Sequence, residues 1–293
     1  MVVHVWFELP MPGVGQTAWL VMRSMELTTR RTFASRHASL MVTFLFRLGV
    51  LSMATLPTAA LATWSIVAVD PETGEVGAAG ATCWPGVADI ARVVPGKGVV
   101  VAQGLTSEVA RDHAGTMLQT GSEASAIVDR ITSSTVDKRF YVVRQLRQYG
   151  VASMHRGKAS VASFTGFLTW PSRGSREAAG VSVQGNTLAS SDVLDRALEH
   201  FVSTPTSCGL AVALLNAIEA GAREGGDSRC SAEQGALSAF LVVARPNDDA
   251  NAPAIRLIAP DQQPEGDNPV LMLREQLRRH LTRTPAPPGV CRF

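Results

Sequence analysis

Hydrophobic positions along this chain switch between a period of two and a period near 3.6, and the switches mark out its elements. Thr63–Val69 alternates and then runs apolar, which predicts a buried strand. Asp70-Pro71-Glu72-Thr73-Gly74 has Pro and Gly where a tight turn wants them, and Glu75–Cys83 returns as a second strand. Gly98–Gln103 carries an unbroken Val-Val-Val-Ala run, the pattern of a strand covered on both faces. Glu108–Thr120 and Ser122–Thr132 read as helices broken at Gly121, with Ser122 placed to cap the second.

Further strands are expected at Phe140–Leu146, Val151–His155, Ala159–Phe164 and Val181–Gln184. Ser191–Val202 and Leu210–Glu224 are the clearest amphipathic helices. In the second, Leu210, Leu214 and Ile218 recur at helical spacing until Gly225-Gly226 stops the run. Leu237–Ala244 and Ala254–Ile258 predict strands about a polar loop, and Leu271–Leu281 predicts a closing helix. This order departs from the strict βαβα alternation of a doubly wound sheet. It predicts an α+β fold, with two antiparallel sheets face to face and helices outside them, an αββα sandwich of four layers. One domain is expected over 63–283, followed by a disordered, Pro-rich tail at 284–293.

The segment before Thr63 follows a different logic. Thr29-Arg30-Arg31-Thr32-Phe33 resembles a twin-arginine export signal. The apolar stretch from Leu40 to Leu56 is interrupted by Arg47, and its unbroken part falls short of the roughly twenty residues a membrane helix needs. Pro57 ends any helix there, and Ala60 and Ala62 are the small residues a signal peptidase accepts. Residues 1–62 are therefore expected to be an upstream segment and cleavable signal, cut between Ala62 and Thr63. The mature chain would be periplasmic or secreted, touching the membrane only through the signal before cleavage.

The whole chain carries a net charge of +2, but five arginines and two glutamates lie before Thr63. That leaves 22 basic and 23 acidic residues from Thr63 onward, a balance that argues against a nucleic-acid surface. The densest basic patch, Lys138-Arg139 with Arg144 and Arg147, reads as a solvated strand face. The cysteines are Cys83, Cys208, Cys230 and Cys291, with no Cys-x-x-Cys pair. Export allows one or two disulfides, and Cys208 with Cys230 is the first choice because they flank one predicted helix. Cys83 reads as a buried structural thiol. His113, His155, His200 and His280 lack metal-ligand spacing, so neither a metal nor a cofactor is called for.

A chain that starts at Thr63 has a hydroxyl nucleophile and a free α-amine base on one residue. That amine titrates near about 8, suitable for a base at neutral pH. Asn186 is the candidate oxyanion donor, because its NH₂ can face a developing charge without ionising. Gly185 beside it would leave a backbone N–H accessible. Asp227 and Arg229 would orient the amine or bind a substrate carboxylate. The plainer alternatives are an edge-strand start at Thr63, a turn at Gln184-Gly185-Asn186, and a local salt bridge between Asp227 and Arg229.

Three segments together carry a resemblance. They are Thr63-Trp64-Ser65-Ile66-Val67-Ala68 with the Asp70–Gly77 turn, Gln184-Gly185-Asn186-Thr187-Leu188, and Ala220-Gly221 followed by Gly225-Gly226-Asp227-Ser228-Arg229. In that order they resemble DUF1028, a family of unknown function placed in the Ntn-hydrolase superfamily. The chain departs from the family at Gly104-Leu105-Thr106-Ser107-Glu108, where members have an Asn and a Tyr-Gly-Pro-like element. The resemblance implies a four-layer sandwich of Ntn-hydrolase type with Thr63 as the N-terminal nucleophile. The expected activity is hydrolysis of an amide bond in a small molecule or peptide, in a protein able to form homo-oligomers through outer helices. The alternative is a non-catalytic periplasmic binding or assembly protein that keeps the fold without the chemistry.

Overall fold

In the computed structural model, the expected hairpin pairs β1 (Thr63–Val69) with β2 (Val76–Thr82). Its turn is fixed by Gly74 N donating to Asp70 O, and by the Asp70 carboxylate accepting from Glu72 N and Thr73 Oγ1. The structure describes residues 63–136, 141–169, 172–283 and 291. The expected export signal and nearly all of the predicted disordered tail lie outside these residues.

The remaining strands are β3 (Ala91–Val94), β4 (Gly98–Gly104), β5 (Arg147–His155), β6 (Lys158–Thr165), β7 (Gly174–Ala178), β8 (Val181–Asn186), β9 (Ser238–Ala244) and β10 (Ile255–Ile258). They make a six-stranded sheet ordered β10-β9-β2-β1-β8-β7 and a four-stranded sheet ordered β3-β4-β5-β6. Every neighbouring pair is antiparallel. Among the described residues five helices exceed one turn: α1 (Glu108–Gln119), α2 (Ala124–Ile131), α3 (Asp192–Ser203), α4 (Leu210–Arg223) and α5 (Pro269–Arg283). The protein is a mixed α+β fold with two antiparallel sheets.

Strand alternation sorts the core into three clusters. Trp64, Ile66 and Ala68 of β1 join Leu214, Leu215, Ile218 and Leu273 between the six-stranded sheet and α3–α5. Val67 and Val69, on the other face of β1, meet Val99 and Val101 of β4 and Ala152 of β5 in the seam between the sheets. Val100, Ala102, Tyr149 and Val151 pack on α1 and α2. Trp64 is fully buried, and its indole donates to Ile218 O at 3.3 Å. A Cβ at Gly221 or Gly226 would come within 2.8 or 2.6 Å of that indole. The glycines of the third motif therefore make room for the tryptophan of the first.

Several expectations need correction. Phe140–Leu146 is not a strand: Tyr141–Arg144 forms one helical turn, and β5 starts at Arg147. β4 ends at Gly104, opposite Arg147, so the preceding residues have no ladder to join despite their β-prone side chains. Arg147 is not on a solvated face; it is 1% exposed and its guanidinium donates to Leu105 O. Ser122 does not cap α2, whose N-cap is Glu123; Ala124 N instead donates to Ser160 Oγ of β6 at 3.2 Å. β3 and β7 are edge strands that the hydrophobic pattern missed, being short and carrying Arg92, Arg176 and Glu177.

The cysteines also pair differently. Cys83 is bonded to Cys230 and Cys208 to Cys291, so Cys83 is no free thiol and Cys208–Cys230 does not form. The 14-residue α4 lies between Cys208 and Cys230 and, rising about 1.5 Å per residue, carries the chain away from Cys208. Within the predicted tail, Cys291 is held against Cys208.

Candidate active site

Thr63 opens a central strand, not an edge strand, between β2 and β8. Its Cα partner on β8 is Asn186, and Gly185 stands opposite Trp64. Successive N–H groups of a strand point to opposite neighbours. Val69 N donates to Gly180 O just before β8, and Asp70 N donates to Glu75 O just before β2. The odd-numbered N–H groups of β1, that of Thr63 included, therefore face β8. The nitrogen of Thr63 is aimed at Asn186.

By the same alternation the Thr63, Ser65, Val67 and Val69 side chains face the seam between the sheets. At the Thr63 end that seam is filled with amides. Gln148 of β5 is the hub: its Nε2 donates to Gly185 O, Thr165 Oγ1 and Gly174 O at 2.8–3.1 Å. Its Oε1 accepts from Gln103 Nε2 at 2.7 Å and from Asn186 Nδ2 at 2.9 Å. Gln103 Nε2 also donates to Thr63 O at 3.2 Å, while its Oε1 accepts from Ser65 Oγ at 2.6 Å. Ser65 Oγ accepts from Gln184 Nε2 at 2.6 Å. The Gln184 side chain occupies space vacated by Gly150, where a Cβ would lie 2.1 Å from its Oε1. Ser65, Gln103, Gln148, Gln184 and Asn186 are each at most 1% exposed, and none is charged.

Among these buried amides, Asn186 Oδ1 has no hydrogen-bond partner. Neither does the Thr63 hydroxyl among the described residues. Thr63 is 2% exposed and lies on the wall of a cleft of about 160 Å³. Thr82 lies beside it, Trp84–Val87 and Ile90 form one side, and Thr106, Glu108 and Arg111 form another. Ser107 Oγ caps α1 by accepting from Ala110 N, which fixes the loop carrying Thr106. Arg111 is held by Asp89 O and Asp112, and its hydrogen bond lowers the Asp112 carboxyl from its ordinary value. A larger cleft of about 380 Å³ runs between the edge strands β3 and β10 and contains none of the expected site residues.

Asp227 and Arg229 meet the end of β2 at Thr82 and Cys83. They pair at 2.7 Å, and the fully buried Asp227 carboxylate also accepts from Cys83 N at 2.6 Å. Arg229 Nη2 donates to Thr82 Oγ1 at 3.3 Å, which brings the pair to the cleft wall. The same turn also grips the end of β8. Ser228 N and Oγ donate to Thr187 O, Ala189 N donates to Gly226 O, and Leu188 bridges Asp227.

Sequence reasoning brought together Thr63, Gly185 and Asn186 but missed the glutamines behind them. Their signal was present, because Ser65, Gln103 and Gln148 are polar residues in strands otherwise buried on both faces. Among the described residues, no group of His, Cys, Asp and Glu is arranged to hold a metal.

The description "Family of unknown function (DUF1028)" matches residues 63–267, so the match opens on Thr63 itself. The chain belongs to this family. A crystal structure of a DUF1028 protein from Silicibacter pomeroyi, SPO2555, is similar to it at 28% identity with a TM-score of 0.59. That likeness covers 75% of this chain and 89% of the other. No curated protein matches the chain.

Proposed function

We propose that this DUF1028 protein is an exported amidohydrolase of Ntn-hydrolase type, in which removal of residues 1–62 exposes Thr63 as an N-terminal nucleophile. The two sheets and their helices would then be the four-layer αββα sandwich of that superfamily. One observation carries the reading: the first residue of the family match lines a cleft, has a hydroxyl without a partner among the described residues, and has its nitrogen on the side of Asn186.

The chemistry follows from those positions. Thr63 Oγ1 attacks the carbonyl carbon of a bound amide, and the hydroxyl proton passes to the α-amine. The oxyanion forms beside the second hydrogen of the Asn186 NH₂, the first being bonded to Gln148. By the alternation that turns the Thr63 N–H to β8, the Gly185 N–H turns to β7 and takes no part, contrary to the expectation. Collapse breaks the C–N bond, and the leaving amine takes the proton held by the α-amine. Water then hydrolyses the Thr63 ester, giving its proton to the α-amine as it attacks, and that proton returns to Oγ1 as the ester bond breaks. At about 160 Å³ the cleft admits a short group at the reacting end, in keeping with a small molecule or a peptide side chain.

Labelling with a hydroxyl-directed electrophile tests the chemistry. Thr63 should be modified in the processed protein, Thr63→Ser should retain modification, and Thr63→Ala should lose it. Equal labelling of Thr63→Ala would favour a binding protein that keeps the fold without catalysis.

A further inference from the structure

Asn186 Oδ1 and, one residue on, Thr187 Oγ1 are buried without a partner, and of these the first belongs to the amide network. Buried polar atoms are almost always hydrogen-bonded, and one left alone calls for an explanation. Asn186 is 1% exposed and sits in a network whose other amides are engaged. The amide cannot be turned over to remove the anomaly: Gln148 Nε2 is committed to three oxygens, so Gln148 Oε1 can only accept, and Asn186 must present its NH₂ there. Thr187, the next residue, holds φ at 52°, a left-handed conformation that a β-branched residue rarely adopts. The turn at Ser228 clamps it there through two hydrogen bonds to its carbonyl. The end of β8 is thus fixed with an open acceptor on the residue that pairs with Thr63 across the strands.

We infer that Asn186 Oδ1 is the acceptor that holds the α-amine of Thr63 once cleavage frees it, with Gln148 the positioning residue that keeps this oxygen open. The inference rests on the proposal that Thr63 becomes the N-terminus. As a peptide amide, the Thr63 nitrogen has one hydrogen, which the β1–β8 pairing directs at the Asn186 backbone. As an ammonium it has three, and one can turn to Oδ1. Cleavage would then supply the base and also complete the buried network, so a processed site would be better ordered than a precursor site.

The test reads a titration, not turnover. The full chain receives a specific protease site ending at residue 62, so that cutting exposes Thr63 whatever natural processing does. The α-amine pKa is then measured by competitive acylation against pH, read by mass spectrometry, with folding checked by circular dichroism. An acceptor for the ammonium favours the charged form, so Asn186→Ala should lower this pKa by about one unit and Asn186→Asp should raise it. Gln148→Leu should reproduce the Asn186→Ala shift, because nothing then orients the amide. If Asn186→Ala or Gln148→Leu fails to fold, the sign of the Asn186→Asp shift decides. A wild-type pKa in the folded variants overturns the inference. Expected shifts with no hydroxyl labelling would overturn the hydrolase reading and leave this one standing; labelling without the shifts would do the reverse.

Discussion

At the Val69 end of the seam the sheets meet through Val67, Val69, Val99, Val101, Ala152 and Val242; at the Thr63 end they meet through Ser65, Gln103, Gln148, Gln184 and Asn186. Both ends are buried and share β1, β4 and β5, so burial alone does not distinguish them. The apolar end contributes non-directional burial, worth about 1.5–3 kcal/mol for each large side chain. The amide end contributes little net stability per hydrogen bond, about 1 kcal/mol. It does fix orientation, because each amide has one acceptor and one donor end that must match its neighbours. A site needing a nucleophile and a base in set positions gains from the second kind of packing.

Substitutions can break or sharpen this contrast. The double change Val69→Ala with Val99→Ala, at the apolar end, should cost about 3–5 kcal/mol in urea unfolding while leaving Thr63 labelling unchanged in folded molecules. Gln148→Leu should cost less, about 2 kcal/mol, because it strands Gly185 O and frees the Asn186 amide. Thr63 labelling should nonetheless fall sharply in its folded fraction. Equal behaviour of the two variants would erase the distinction between the ends.

The smallest effect is expected outside the seam, at Asp112 on α1, whose hydrogen bonds to Arg111 and Arg92 depress its pKa. A depressed carboxyl stabilises the fold above its unfolded pKa, and that contribution is lost as pH falls through the folded value. Half-exposed, it should be worth under about 1 kcal/mol. Asp112→Asn should therefore narrow the gap in unfolding free energy between neutral and acid pH only slightly.

The two ends also differ in how far the sequence revealed them. Alternation in Thr63–Val69 and the Asp70–Gly74 turn were enough to place β1, β2 and the buried valines, because burial leaves a period that can be read locally. Thr63 and Asn186 were legible as candidates, but not as cross-strand partners, since register depends on pairing across 123 residues. Gln103 and Gln148 went unread because a lone glutamine in an apolar strand shows its purpose only when the facing sheet is known. The cysteine pairs, separated by 147 and 83 residues, were illegible for the same reason. Arg147 reversed its expected setting because charge pattern alone does not show that Leu105 O is waiting for it.

The account turns on one bond, Ala62–Thr63. Intact-mass measurement of the protein purified after expression of the full chain in a host with both export pathways tests it directly. The account predicts a chain that begins at Thr63, carries a free α-amine and retains Cys291. A mature chain that begins at any other residue would leave the Thr63 nitrogen in a peptide bond or remove the residue altogether, and would contradict it.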